Sequence, residues 1–526
     1  MHIAADPGAL LQRVALVVAL VAVAPGVRAL AGPPHKASPA LAEPFERATW
    51  QQDYAFLRAR LEESYANLAW FASPQGGVDL PALDRRTRRL LNAAKDTADA
   101  KAALLGFIAG FHDGHLARIE SLLPGSSPAL EPSEPEWNQL SARDGCAALG
   151  YAPVRSLPYS LPFESLRGTT LQSDGITQPF RAGIAISAGG TRFGIIRIPR
   201  FREQDSPPSI CIQEWTLQQR AGGPINITAL QDRISEAWFR TLADQLKRFL
   251  AEKVAAVIVD VGGNSGGNES GDWAPRLFTP KDVHSAHLWM SASPAAVGYF
   301  DEQLEELRTG LAQHPDASPE AIEAIRSAIA EFERRKASMG ERRCSMSWVW
   351  REQRPWNPAG PSRLIDAGFA SGSMDFLAAG ALGGSQLATK VYWPAAVDAF
   401  RGAWTGPVYV LADAKTASSA EMFCAVLQDN GIAKIVGGPT AGDGGGFMFT
   451  EPPTELPHSH LRIQIPNCLR VRADGTNEVA GIRPDLPVLP IQGESLRARA
   501  ARVLKRIDED LGTSPSTQKA PGHPPN

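Results

Sequence analysis

Apolar residues recur along this chain at two different periods, and the switches between the periods divide it into segments. Trp50, Tyr54, Leu57, Leu61 and Tyr65 fall on one face of a helix, and a second helical stretch runs from about Leu83 to Ala94. Leu104, Phe107, Ile108 and Phe111 mark a third, which leads into His112-Asp113-Gly114-His115. The glycine is expected to end that helix and leave His115 just beyond it. Together these stretches predict a small N-terminal helical domain over residues 45–120. Residues 121–190 are rich in Pro, Ser and Gly with weak periodicity, and read as a connecting region of loops and short strands.

Beyond this region strand-like and helical runs alternate. Phe193–Phe201 reads as a strand, and Trp238, Leu242, Leu246 and Leu250 mark a helix feeding the run Val254–Asp260. That run is nearly all apolar, as expected when helices cover both faces of a parallel sheet. Val408-Tyr409-Val410-Leu411 is a further strand, Met422, Phe423, Val426 and Leu427 recur at helical spacing, and Ile435-Val436 resumes strand character. This is a βαβ unit, so a parallel sheet is implied. Two helical stripes, Leu304, Leu307, Leu311 and Ile322, Ile325, Ile329, Phe332, predict a helical hairpin at about 298–337, inserted into a core domain spanning 191–492. Residues 493–526 hold a basic helix from Ser495 to Asp510 and then a polar tail, expected to be disordered.

Composition narrows the class. With 526 residues, 44% hydrophobic, 21% charged and a net charge of −3, the chain fits a soluble globular protein and gives no reason to expect nucleic acid or an anionic membrane as partner. Arg13, the apolar run Val14–Ala24 and then Ala29-Leu30-Ala31 read as a secretory signal peptide over residues 1–31, followed by a linker at 32–44. The run is too short to span a bilayer, so a periplasmic or secreted location is expected, with an uncleaved signal anchor as the alternative. The five cysteines, Cys146, Cys211, Cys344, Cys424 and Cys468, lack C-x-x-C spacing, so neither a zinc site nor a redox motif is indicated. An exported chain could hold one or two disulfides, with a thiol left over.

Ser418 sits where a strand turns into a helix, near the unpaired amides of the helix start, a place suited to holding an oxyanion. The same Ser418-x-x-Glu421 pattern is a capping box, the commoner use of such a serine. The strand ending at Asp260 runs into Gly262-Gly263-Asn264-Ser265-Gly266-Gly267, a turn whose backbone could approach a ligand closely. His112-x-x-His115 and His284-x-x-His287 have the spacing of paired ligands on one helical turn, but nothing nearby supplies a third, and no metal is expected. Trp348, Trp350 and Trp356, beside Arg351 and Arg354, read as core packing, with an aromatic wall of a substrate groove as the alternative.

Taken together, Phe111-His112-Asp113-Gly114-His115-Leu116, Val259–Gly267, Thr416–Glu421 and Glu478-Val479-Ala480-Gly481-Ile482-Arg483-Pro484-Asp485 resemble, in order and spacing, the tail-specific or C-terminal-processing serine peptidase family. That family includes the tricorn core protease and the retinoid-binding relatives. The resemblance covers roughly residues 50–490 and implies an α/β fold, a crotonase-like ββα spiral preceded by the small helical domain. It implies Ser418 as nucleophile, with oxyanion donors at Ser419 and at Gly266 or its neighbour Gly267. The Ser-Lys branch carries a lysine 25 residues after the serine, where this chain has Asp443, so a Ser-Lys dyad is not expected. The tricorn-like branch uses a histidine matching His115, and an imidazole can take and return the serine proton. A glutamate matching Glu478 completes the relay in that branch, with Asp113 or His112 as other groups able to orient the ring. The resemblance implies an exported serine peptidase acting on peptide or protein substrates without a cofactor. No carboxylate-binding PDZ loop is found between 121 and 190. The alternative is a binding protein on the same fold, for an apolar ligand or peptide, with Ser418 surviving as a cap.

Overall fold

The computed structural model describes residues 45–119, 137–342, 344–360, 362–384 and 386–513. The expected signal peptide, the linker, part of the connecting region and the C-terminal tail lie outside the described residues.

The centre of the molecule is a seven-stranded mixed sheet: β1 (Thr170–Asp174), β2 (Arg181–Ile186), β3 (Arg192–Arg197), β4 (Ala256–Asp260), β5 (Val408–Ala412), β6 (Ala433–Gly437) and β7 (Leu486–Pro487). Each strand lies beside its predecessor in the chain. β3 to β7 are parallel, and β1 and β2 extend the sheet antiparallel. The sheet therefore starts at Thr170, before the strand expected at Phe193. β1 is polar and only partly buried, and β2 carries Gly183, so neither shows the apolar run that betrays a central strand.

β4 and β5 are buried at every position, because helices cover both faces. On one side Val257, Val259, Val408 and Val410 pack with the helix Ile227–Ala251, through Ile234, Trp238, Leu242 and Leu246, and with Phe423 and Leu427 of the helix Ser419–Asp429. On the other, Ile258, Tyr409 and Leu411 pack with Val503, Leu504 and Ile507 of the helix Leu496–Thr513. Successive residues of one strand thus feed two cores, each buried large apolar side chain contributing roughly 1.5–3 kcal/mol.

The four N-terminal helices occupy Arg47–Ser64, Leu68–Phe71, Leu80–Ala93 and Thr97–Ala109. Trp50, Tyr54, Leu57 and Leu61 face Leu104 and Phe107, and Trp348 and Trp350 fill the same cluster. The Trp350 indole donates to Glu62 at 2.7 Å, so these tryptophans serve packing. The helical hairpin is formed by Pro294–Gln313 and Pro319–Ser338, which bury Tyr299, Leu304, Ile325 and Phe332 against a three-stranded antiparallel sheet of His287–Ser291, Leu364–Phe369 and Cys468–Val471. One disulfide joins Cys146 to Cys211, and Cys344, Cys424 and Cys468 are free thiols.

Candidate active site

Three loops meet at the C-terminal ends of β4 and β5. The first follows β4. Asp260, fully buried, accepts from Arg197, from the Ser160 amide and hydroxyl, and from Gly262 N–H at 3.1 Å, which fixes where the glycine turn begins. Asn264 then knits the turn. Its side-chain amide donates to the Ile198 carbonyl at 3.0 Å, its Oδ1 accepts from Gly266 N–H at 2.8 Å, and its carbonyl accepts from Ala417 N–H at 2.9 Å. Gly266 has φ +93°, and a Cβ there would lie 2.6 Å from Ser418 Cβ and 2.9 Å from Ser419 N, so only glycine lets this turn touch the serine.

The second loop carries the serine. Thr416 Oγ1 is held between the Asp413 amide and the Val261 carbonyl, and Ser418 follows with φ +55° and ψ −122°. A non-glycine residue in that region is strained by about 1–3 kcal/mol, and the surroundings must enforce it. Glu421 helps: its Oε2 accepts from Ser418 N–H at 2.9 Å and from Asp443 N–H at 2.8 Å, while Oε1 accepts from Thr440 Oγ1 at 2.6 Å and Gly442 N–H at 2.8 Å. Burial, with Glu478 adding to it, pushes this carboxyl up to about 7 against the Thr440, Gly442 and Asp443 donors. Ser418 stands in capping position, and its hydroxyl lies 3.1 Å from His115 Nε2.

The third loop brings the histidine. The helix Thr97–Ala109 stops at Gly110, not at Gly114 as the sequence suggested, because Phe111 turns into the aromatic cluster and His112 adopts φ +56°. Asp113, buried, accepts His115 N–H at 2.9 Å through Oδ1, and its Oδ2 accepts from the Tyr65 hydroxyl at 2.7 Å and the Asn67 amide at 3.2 Å. Burial raises Asp113 above its usual range, and the adjacent imidazole, Tyr65, His115 N–H and Asn67 pull it back towards its charged form. Burial and then the Asp113 charge push the Tyr65 phenol well above 10, so it remains a donor. His115 Nδ1 is 3.9 Å from Asp113 Oδ1, and Phe447 meets the ring edge-on with centroids 5.7 Å apart.

The structure thus brings Ser418, Ser419, His115 and the Gly266 turn together, and sets Glu478 apart. Glu478 is fully buried and spends both oxygens on Arg470, at 2.8 and 2.6 Å, and no hydrogen bond joins it to the imidazole among the described residues. The physical reason is Arg470 itself, a buried guanidinium on the neighbouring strand that needs a counter-charge. The segment reaches the histidine loop instead through Asn477, whose side-chain amide donates to Asn67 Oδ1 at 2.8 Å. Gly266 also differs in detail: its N–H is taken by Asn264, whereas the N–H groups of Ser419 and Gly267 carry no hydrogen bond among the described residues. Asn67 and Asn477 had no signal in the sequence, since their roles come from approaches between distant segments.

A strand-turn-helix serine facing an imidazole on a mixed α/β scaffold pairs a nucleophile with a group able to take its proton. The chain matches the model of peptidase family S41 over residues 352–488, the region that holds the serine turn. Among solved structures, mature CPAF is similar at 14% identity with a TM-score of 0.49, covering 88% of this chain and 98% of that one. The photosystem II D1 C-terminal processing protease is similar at 11% identity and TM-score 0.29, over 87% and 97% of the two chains. A lipoprotein from Streptococcus agalactiae is similar at 10% identity and TM-score 0.33, over 91% and 99%. No curated protein sequence matches the chain.

Proposed function

We propose that this protein is an exported serine peptidase that cleaves peptide bonds by acyl transfer, with Ser418 as nucleophile and His115 as general base and acid. The observation that carries the reading is the 3.1 Å approach of Ser418 Oγ to His115 Nε2, made from a strained strand-to-helix turn. Ser418 Oγ adds to the substrate carbonyl carbon while His115 Nε2 takes the hydroxyl proton. Ser419 N–H and, in place of Gly266, Gly267 N–H serve as oxyanion donors, both free of other acceptors among the described residues. His115 then returns the proton to the leaving amine as the C–N bond breaks, leaving an ester on Ser418. Water, deprotonated by the same imidazole, attacks that ester, and the imidazolium returns the proton to Ser418 Oγ as the ester C–O bond breaks and the acid product leaves. Asp113 takes the positioning role first assigned to Glu478: it holds the His115 backbone and puts negative charge beside the ring as the imidazolium forms. No step needs a cofactor.

Export is supported by the apolar run Val14–Ala24 and by the disulfide Cys146–Cys211, a bond that persists in oxidising compartments. N-terminal sequencing of the protein recovered from outside the cytoplasm tests it, with a mature start near residue 32 expected. A fluorophosphonate probe tests the chemistry. It is expected to label the wild type, and to fail with Ser418→Ala and with His115→Ala; labelling that survives both substitutions removes the assignment.

A further inference from the structure

We propose that Asp443 is a positioning residue that braces the histidine loop against the serine turn and so sets the distance between His115 and Ser418. This rests on the peptidase reading above. Asp443 is joined to both sides. Its N–H donates to Glu421 Oε2 at 2.8 Å, the same oxygen that accepts Ser418 N–H at 2.9 Å. Its carboxylate Oδ1 accepts Gly114 N–H at 2.7 Å, one residue before the base. A continuous path of three hydrogen bonds therefore runs from the nucleophile's own backbone amide, through Glu421 and Asp443, to the backbone amide of Gly114, the residue before His115.

The two ends of the brace are matched in shape. A Cβ on residue 114 would lie 2.4 and 2.7 Å from the Asp443 carboxylate oxygens, so the bare Cα of Gly114 is what admits this acceptor. Asp113 holds the same loop from its buried side, through His115 N–H, Tyr65 and Asn67. The loop carrying His115 is thus gripped on either side of Gly114, by one aspartate from its own segment and one 329 residues further on. Among the described residues no hydrogen bond joins the Asp443 carboxylate to the Ser418 hydroxyl, which faces His115 instead. The role of Asp443 is an acceptor's.

The test is steady-state hydrolysis of a fluorogenic peptide by full-length protein, with fluorophosphonate labelling rates alongside. Asp443→Ala is expected to lower kcat about 10- to 100-fold at unchanged KM, the cost of a reacting pair loosened by a fraction of an ångström. Asp443→Asn keeps an oxygen able to accept Gly114 N–H and is expected to recover to within several-fold of wild type. Asp443→Lys, which replaces the acceptor by a donor, and Gly114→Ala, which pushes the acceptor away, are expected to fall with Asp443→Ala. An Asp443→Ala protein within twofold of wild type, an Asn variant as slow as Ala, or a faster Lys variant overturns the proposal. If Asp443→Ala does not fold, the comparison of Asp443→Asn with Gly114→Ala decides in the same way. Failure of the wild type to label at Ser418 would instead remove the peptidase reading, so the two failures are told apart.

Discussion

The Ser418 hydroxyl lies 3.1 Å from Nε2 of a histidine placed 303 residues earlier in the chain. Two groups that pass one proton between them act as a unit, so removing either removes the function of both. Ser418→Ala and His115→Ala are each expected to cost about 10⁴- to 10⁶-fold in kcat, and the double variant no more than the worse single one. Turnover of a peptide substrate by the three variants checks this. Multiplying costs in the double variant would mean that the groups act separately.

Much of the scaffold was legible in the sequence because its signals are local. β5 and the helix Ser419–Asp429 are buried almost throughout, so their apolar periodicity could not be masked by surface residues. The first two strands of the sheet fall in the segment read as loops and short strands, and were not joined to the sheet because one is polar and the other interrupted by glycine. At the site, Ser418 and the Gly262–Gly267 turn were conspicuous as local patterns. The pairing with His115 was not, since no propensity couples residues so far apart; it came from the resemblance of four motifs taken together. Glu478 was placed on the imidazole by that resemblance, and the partner it has, Arg470, follows from a strand hairpin that no periodicity announces.

The Arg470–Glu478 pair is buried at both ends, with side chains 7% and 0% exposed. Breaking such a pair strands a charge, whereas replacing both members by apolar groups strands none. Arg470→Met is therefore expected to lower unfolding free energy by roughly 3–5 kcal/mol, and Arg470→Met combined with Glu478→Leu to recover most of that loss. Denaturant titration of the two variants measures it. A double variant no better than the single one would show that the pair does more than satisfy its own charges.

Glu421 gives the protein a pH signature. Its carboxyl titrates at about 7 in the fold against about 4.5 when unfolded, so between those values the folded state holds the proton and the unfolded state does not. Stability from this group is fully present below pH 4.5 and is lost as pH rises through 7, a fall on the order of 3 kcal/mol. The wild type is expected to lose that much more than Glu421→Gln between pH 4.5 and 8, since the amide does not titrate. Parallel pH–stability curves for the two proteins would contradict the raised carboxyl.

Cys146 and Cys211 close a loop across 65 residues, with Cα atoms 5.9 Å apart, and the bond sits against the fully buried Trp215 in the largest apolar cluster. On the chain-entropy account a loop of this length stabilises the fold by about 4 kcal/mol, through the unfolded state it restricts. The sequence could not choose this pair among five cysteines, because the choice depends on the short helix Ala142–Ala148 docking beside Ser209–Ala221. Thiol titration in denaturant is expected to find three reactive cysteines in the protein as purified and five after reduction. Cys146→Ser with Cys211→Ser is expected to unfold at lower denaturant, with three thiols whether or not reductant is added. A count of five before reduction would mean that the bond does not form, and the support it lends to export would go with it.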